Sequence, residues 1–290
     1  MVLAHAAVKT SPRRNKSATQ PPDFWDPLSY QHEQASADCV RRVKNDIAEI
    51  EDYRPPGLFV APEEHDLTNV HALVLGPVGT PYEGGFFHFL IKCPSDYPNS
   101  PPRARLMTTD SGRVRFGPNL YENGKVCLGL LGTWYGPQWS SAHCIGSLLM
   151  SFKSLLTSDP IAKGSSFGVL PAAGTWLSDK ICYNDVLQHE TIRVAVCDAV
   201  DACLQGTALC PQPLRQEILK HFPQFYDQYE RVVKHRLHLT GSIMNDGSVG
   251  GIATYQYELL FQRLLDLREK VKITNEAAAK ENNKHFTGLW

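Results

Sequence analysis

The sequence predicts an α+β fold: a first helix, a four-stranded antiparallel meander, a long irregular loop, a central helix and a helical C-terminal half. Three observations carry this. Val40, Val43, Ile47 and Ile50 recur at helical spacing. Short strand-like runs follow, separated by turns dense in Gly and Pro. Periodicity then vanishes from Asp110 to Gln138 before an apolar stripe resumes.

Residues 1–22 carry Lys9, Arg13, Arg14 and Lys16 with no acid, among Ser, Thr, Gln and Pro. That composition suits a disordered basic arm or a weak transit peptide, and the lack of an amphipathic helix favours the arm, here bounded at 1–33. A core is expected over 34–160 and an insertion plus helical extension over 161–290. Helical order begins near Ser36 and ends at Pro55-Pro56-Gly57. Strands are expected at Leu58–Ala61, Val70–Leu75, Phe86–Cys93 and Arg103–Met107. The third alternates, placing Phe87, Phe89, Ile91 and Cys93 on one face. Gly76-Pro77 and Gly84-Gly85 supply turns, and Tyr97-Pro98-Asn99-Ser100-Pro101-Pro102 precedes the fourth strand. Ser140 or Ser141 is the expected N-cap of the central helix. Its stripe is Ile145, Leu148, Leu149, Phe152, Leu155 and Leu156, and Ser158-Asp159-Pro160 stops it. Residues 161–178 read as an irregular insertion, and Gly241–Gly251 as a flexible break. Helical patterns resume near 182–204, 213–238 and 254–281.

The 290 residues are 42% hydrophobic and 20% charged, with net charge −1. Nothing in that balance points to nucleic acid or an anionic membrane, and no apolar run is long enough to span a bilayer. The eight cysteines contain no Cys-x-x-Cys pair and no close Cys/His cluster, so neither a metal site nor a disulfide framework is expected. With no secretory signal, reduced thiols in a cytosolic or nuclear protein are the expectation.

The segment from Phe116 to Ser140 is where chemistry is expected. Cys127 follows a Gly-Lys turn in a Gly-rich stretch, where a partly exposed thiol is expected rather than a buried structural one. A thiol is both a good nucleophile and a good leaving group, so it can take an acyl group and pass it on. Asn119 is either a turn residue or a donor to the oxyanion of acyl transfer. No histidine stands in a hydrolase signature, His88 and His143 being the nearest, and no phosphate-binding loop occurs. Any ATP-driven activation must therefore happen on another protein, and no cofactor is expected here.

In order along the chain, the first helix is followed by Thr80-Pro81-Tyr82-Glu83-Gly84-Gly85, Tyr97-Pro98-x-x-Pro101-Pro102 and Pro118-Asn119. Gly124-Lys125-Val126-Cys127-Leu128 and Trp139-Ser140 then complete the set. This set resembles the ubiquitin-conjugating enzymes over about residues 36–160. Gly132-Thr133-Trp134, the run His189–Asp198 and Arg236-Leu237-His238-Leu239 resemble the family's Z-type branch, extending the likeness to about residue 270.

The resemblance implies that Cys127 receives ubiquitin, or a ubiquitin-like modifier, as a thioester from an activating enzyme. It then passes the modifier to a lysine of a substrate protein, usually with a ligase. It implies an oxyanion role for Asn119. Arg41, Arg42 and Lys44 fall near the surface that meets the activating enzyme, with a plain solvated basic face as the alternative. Pro98, Pro101, Trp139 and Ser140 fall on the ligase loops. Z-type relatives work with the alternative activating enzyme and can carry a modifier made of two ubiquitin-like domains.

Departures from the family pattern are Gly117 where the loop usually has histidine or, in the Z-type branch, asparagine, Ser141 in the Trp-Ser-Pro motif, Asn99, and Lys163-Gly164-Ser165 beside the incoming lysine. Gly117 implies a less preorganised Asn119. A weakly active binding module of the same fold is the rival reading, and a cysteine hydrolase without a visible base is the third.

Overall fold

The computed structural model describes residues 23–161, 176–244 and 253–287. Helix α1 spans Ala37–Tyr53. The Ser36 hydroxyl caps it by accepting the Cys39 N–H at 3.1 Å, and Arg54 ends it in the left-handed region, just before the prolines. Its buried face is Cys39, Val43, Ile47 and Ile50, with Val40 on the edge rather than in the stripe.

Strands β1 (Leu58–Pro62), β2 (Asn69–Leu75), β3 (Phe86–Lys92) and β4 (Arg103–Leu106) form the expected antiparallel meander in chain order. In register, Ala72 faces Phe89 and Phe89 faces Leu106. β2 and β3 are buried at every position, because both faces of the sheet are covered. Val70, Ala72, Val74, Phe87, Phe89 and Ile91 join α1 and helix α2 (Ile145–Leu155) in one core, where Phe89 stacks on Phe152 at 4.5 Å. Leu73, Leu75 and Phe86 face a second core made by the C-terminal helices. The polar residues of that second face are buried in pairs: Lys92 is fully buried and bonds Asp66 at 2.5 Å and Thr68 at 2.9 Å, and His88 lies 2.9 Å from His71.

The disorder expected for 1–33 does not hold for residues 23–33. Asp26 caps a 3₁₀ turn at Pro27–Tyr30 and pairs with Arg105. Trp25 is buried, Glu33 bonds Arg103 at 2.8 Å, and that guanidinium sits 3.6 Å over the Tyr30 ring. Aromatic and acidic residues absent from 1–22 hold this piece to β4; residues 1–22 lie outside the described residues.

The N-cap of α2 is Cys144, not Ser140 or Ser141: its sulfur accepts the Ser147 N–H at 3.4 Å while Ser147 Oγ accepts the Cys144 N–H at 3.0 Å. Helix α3 (Trp176–Glu190) runs into a π-helical segment, Thr191–Asp198, and then α4 (Ala199–Gln205), so the expected single helix is divided. Helices α5 (Gln212–Arg236) and α6 (Tyr257–Thr287) pack together and complete the second core. The break between them is narrowed by a β-bridge joining Ile243 and Thr254; its central residues, and most of the 161–178 insertion, lie outside the described residues. Among the described residues no helix is long and apolar enough to cross a membrane.

Gly84 shows how the extension is keyed onto the core. It sits at φ 72°, and its carbonyl accepts the Tyr229 hydroxyl at 2.7 Å. A Cβ there would come within 2.7 Å of that oxygen. Gly84→Ala is therefore expected to destabilise the protein by about 1–3 kcal/mol, from left-handed strain and overpacking. Urea unfolding checks this; an unchanged midpoint would refute it.

Candidate active site

The segment after Val114 is a hairpin rather than a free loop. Phe116 N–H bonds Leu120 O at 3.0 Å and Tyr121 N–H bonds Lys125 O at 3.0 Å. Gly124, at φ 88°, closes the turn. A Cβ on Gly124 would meet Leu106 O at 2.8 Å, because this turn docks on β4: Leu106 N–H donates to Gly124 O at 2.9 Å. Tyr82, from the Thr80–Gly85 turn, donates its hydroxyl to Phe116 O at 2.6 Å and anchors the base.

The eight-residue spacing of Asn119 and Cys127 now has a physical cause. The hairpin lays them side by side, and they exchange two hydrogen bonds. Cys127 N–H donates to Asn119 O at 2.9 Å, and Asn119 Nδ2 donates to Cys127 O at 2.9 Å. The amide is thereby held beside the residue that carries the thiol. An amide nitrogen has two N–H groups, so a second donor remains in its inventory.

Cys127 is only 3% exposed, not partly exposed as its Gly-rich surroundings implied. Burial pushes its thiol above the ordinary value; Lys125, a Tyr121 side-chain hydrogen bond and Arg115 oppose that rise without cancelling it. Such a thiol is mostly protonated at neutral pH, and its thioester has a poorer leaving group. The burial that raises the thiol also keeps water away from the sulfur.

Three supporting residues escaped the sequence reading. Arg115 donates to Gly117 O and Pro118 O, both at 3.0 Å, and lies 4.1 Å over the Tyr121 ring. Tyr121 is one of the groups that oppose the rise of the thiol. Thr133 Oγ1 accepts the Leu128 N–H at 2.9 Å and donates to Val126 O at 2.6 Å, tying the loop after Cys127 to the strand before it. Position alone marked them: two residues before Gly117, two after Asn119, and within the Gly-Thr-Trp run.

The other expected site residues fall in two groups. Arg41 is exposed and pairs with Asp38 at 2.9 Å, and Lys44 is exposed on the same helix. Arg42 is engaged internally: it bonds Asp46 at 2.6 Å, His143 O at 2.6 Å and Ser141 O at 3.2 Å, joining α1 to the start of α2. Buried Asp46 also accepts the Tyr97 hydroxyl and the Ile145 N–H. Trp139 Nε1 donates to Pro98 O at 2.8 Å, bringing the two loops together. Pro98 and Pro101 are half-buried and Ser140 is exposed, with its N–H on His143 Nδ1 at 3.0 Å. Lys163, Gly164 and Ser165 lie outside the described residues. All eight cysteines are free thiols; Cys182 is exposed.

A family model described as ubiquitin-conjugating enzyme matches residues 42–184. The chain is 44% identical over 274 residues to ubiquitin-conjugating enzyme E2 Z of Xenopus tropicalis, a match covering 93% of this chain and 84% of that one. For the human protein of the same name the figures are 44% over 269 residues, 91% and 74%. For that of Danio rerio they are 45% over 251 residues, 86% and 74%.

Proposed function

The chain belongs to the ubiquitin-conjugating enzyme family, and from that premise we propose that Cys127 is the residue that carries the modifier. The family's general partners follow: ubiquitin, an activating enzyme and ligases. The single observation that carries the assignment is the reciprocal pair of hydrogen bonds between Asn119 and Cys127.

In the first step the Cys127 thiolate attacks the thioester carbonyl held by the activating enzyme. A tetrahedral oxyanion forms, and the activating enzyme's thiolate leaves. In the second step a substrate lysine, as free amine, attacks the Cys127 thioester. The oxyanion is stabilised by Asn119 Nδ2–H; collapse expels the Cys127 thiolate, the amine loses its proton and an amide bond remains. ATP is spent on the activating enzyme, and this chain needs no cofactor of its own. Arg41 and Lys44 are assigned to the activating-enzyme surface, with Arg42 shaping the helix that presents them. Pro98, Pro101, Trp139 and Ser140 are assigned to the ligase surface. A Z-type partnership, with the alternative activating enzyme and a modifier of two ubiquitin-like domains, is the finer proposal, and reduced cytosolic or nuclear surroundings go with eight free thiols.

Incubation with each class of activating enzyme, ATP and modifier, followed by a non-reducing gel, tests this. A reducible adduct is expected; none with any activating enzyme would reject it. A second reading, a slow or non-transferring variant, is favoured by the burial of Cys127. Rapid discharge of the charged protein onto free lysine excludes that reading.

Asn119→Ala is expected to slow discharge by about 10²-fold, the usual cost of one oxyanion donor, and loading by less than about tenfold. Single-turnover rates of the two half-reactions check this. Equal loss in both would mean that Asn119 serves the loop and not the oxyanion.

A further inference from the structure

We propose that Arg115 is a positioning residue for lysine attack: its guanidinium fork holds the Asn119 loop in place of the side chain that position 117 lacks. This rests on the assignment of Cys127 and Asn119 above and deepens it.

The carbonyls that Arg115 grips, Gly117 O and Pro118 O, belong to the two peptides immediately before Asn119. Rotation of either peptide would swing the Asn119 amide. Gly117 O also takes the Leu120 N–H at 3.2 Å, so the Arg115 bond fixes a peptide already shared with the hairpin. Pro118 has no N–H of its own, which leaves its carbonyl as the handle. Gly117 contributes no side-chain tether, although a Cβ there would meet only Tyr82 Oη, at the ordinary distance of 3.4 Å. Space does not force glycine there; the tether seen in this loop comes from Arg115, two residues upstream.

The guanidinium, bonded to both carbonyls through its edge, also lies over the Tyr121 ring, and Tyr121 is one of the groups that oppose the rise of the Cys127 thiol. One planar group therefore spans both halves of the site. A planar fork can grip two carbonyls and stack on a ring together; an ammonium is a point charge and cannot. Fork and charge are therefore separable.

Arg115 also borders a cavity of about 410 Å³ between the core and the C-terminal helices. It is only half-buried. Its shortening therefore opens onto existing space rather than leaving a new void in a packed core.

The test uses the full chain with Arg115→Lys, Arg115→Met and Arg115→Ala. Loading and discharge onto free lysine are followed in single turnover across pH, together with melting temperature. Discharge is expected to fall by about tenfold to a hundredfold in all three, with loading less affected. The pH profile of loading stays in place for Arg115→Lys and moves to higher pH for Arg115→Met, which loses the charge facing Cys127. Methylguanidinium at millimolar concentration is expected to restore discharge to Arg115→Ala and not to Arg115→Lys. Wild-type discharge by Arg115→Lys, or parallel loss of both half-reactions with a lowered melting temperature and no rescue, would overturn the proposal. Should Arg115→Ala fail to fold, the lysine variant, which keeps stem and charge, decides alone. If the wild-type chain forms no adduct, the assignment of Cys127 fails instead, and the two failures are distinguishable.

Discussion

Cys127→Ala is expected to abolish the reducible adduct and to leave the fold in place. Both hydrogen bonds between Cys127 and Asn119 use the Cys127 backbone, so alanine keeps them. What is lost is one sulfur from a buried site, a change of about 1 kcal/mol by apolar transfer. Cys127→Ser retains an oxygen nucleophile and is expected to give at most a slow ester adduct that survives reductant. The exposed Cys182 is the natural competitor, since accessibility alone would favour it. Cys182→Ala is therefore expected to charge normally. An adduct that persists in Cys127→Ala and disappears in Cys182→Ala would reverse the assignment. The pH dependence follows from the raised thiol value: below it the thiolate fraction grows about tenfold per pH unit, so loading accelerates from neutral into alkaline pH. With only 3% of Cys127 exposed, neighbouring side chains must move before an acyl carbonyl reaches the sulfur.

Arg193→Leu is expected to be the most damaging change outside the site. Arg193 bonds Glu190 Oε2 at 2.5 and 3.0 Å and Asp110 Oδ2 at 2.8 Å, and both acid side chains are 11% exposed. Leucine leaves the nearly buried Glu190 with only its His189 hydrogen bond at 2.7 Å and Asp110 with only the exposed Arg113, a loss of about 3 kcal/mol, the low end for a broken buried pair. Melting temperature is expected to fall on the order of 10 °C. The effect has a pH signature. Burial alone would raise the Glu190 carboxyl, yet hydrogen bonds from His189 and Arg193 hold it below its ordinary value of 4.5. A depressed carboxylate stabilises the fold above its unfolded value, and that contribution is lost as pH falls through the folded one. The gap between wild type and Arg193→Leu should therefore be full at neutral pH and narrow below about pH 4.5. A gap constant from pH 7 to pH 3 would show that packing, not charge, sets the loss. Asp110 stands at φ 52° at the start of the turn that leads to Arg115, so Arg193 also steadies a strained backbone on the way to the active loop.

The four strands were legible almost residue for residue, because alternation and Gly/Pro turns are local signals; Phe86–Cys93 differs from the observed β3 by one residue. Cys127 and Asn119 stood out for a related reason, as a thiol and an amide in an aperiodic loop, and the structure brings the two together. Arg42 illustrates the opposite case. On a helical wheel it is one more basic residue beside Arg41, yet it bonds carbonyls about a hundred positions away. Arg115 and Tyr121 likewise read as ordinary loop residues until the hairpin folds them onto their partners.

The order of elements, the positions of the turns and the choice of a candidate thiol and amide were set by the chain's local pattern. Periodicity reports which way a side chain points on its own element, and that information is complete in a few residues. Whether a face meets water or another layer is decided elsewhere. The second face of the sheet is dry because helices from the last third of the chain lie on it, and Cys127 is buried although its own stretch is Gly-rich and aperiodic. Burial, and the hydrogen bonds it demands, are properties of contacts between distant segments, so only the tertiary structure could decide them.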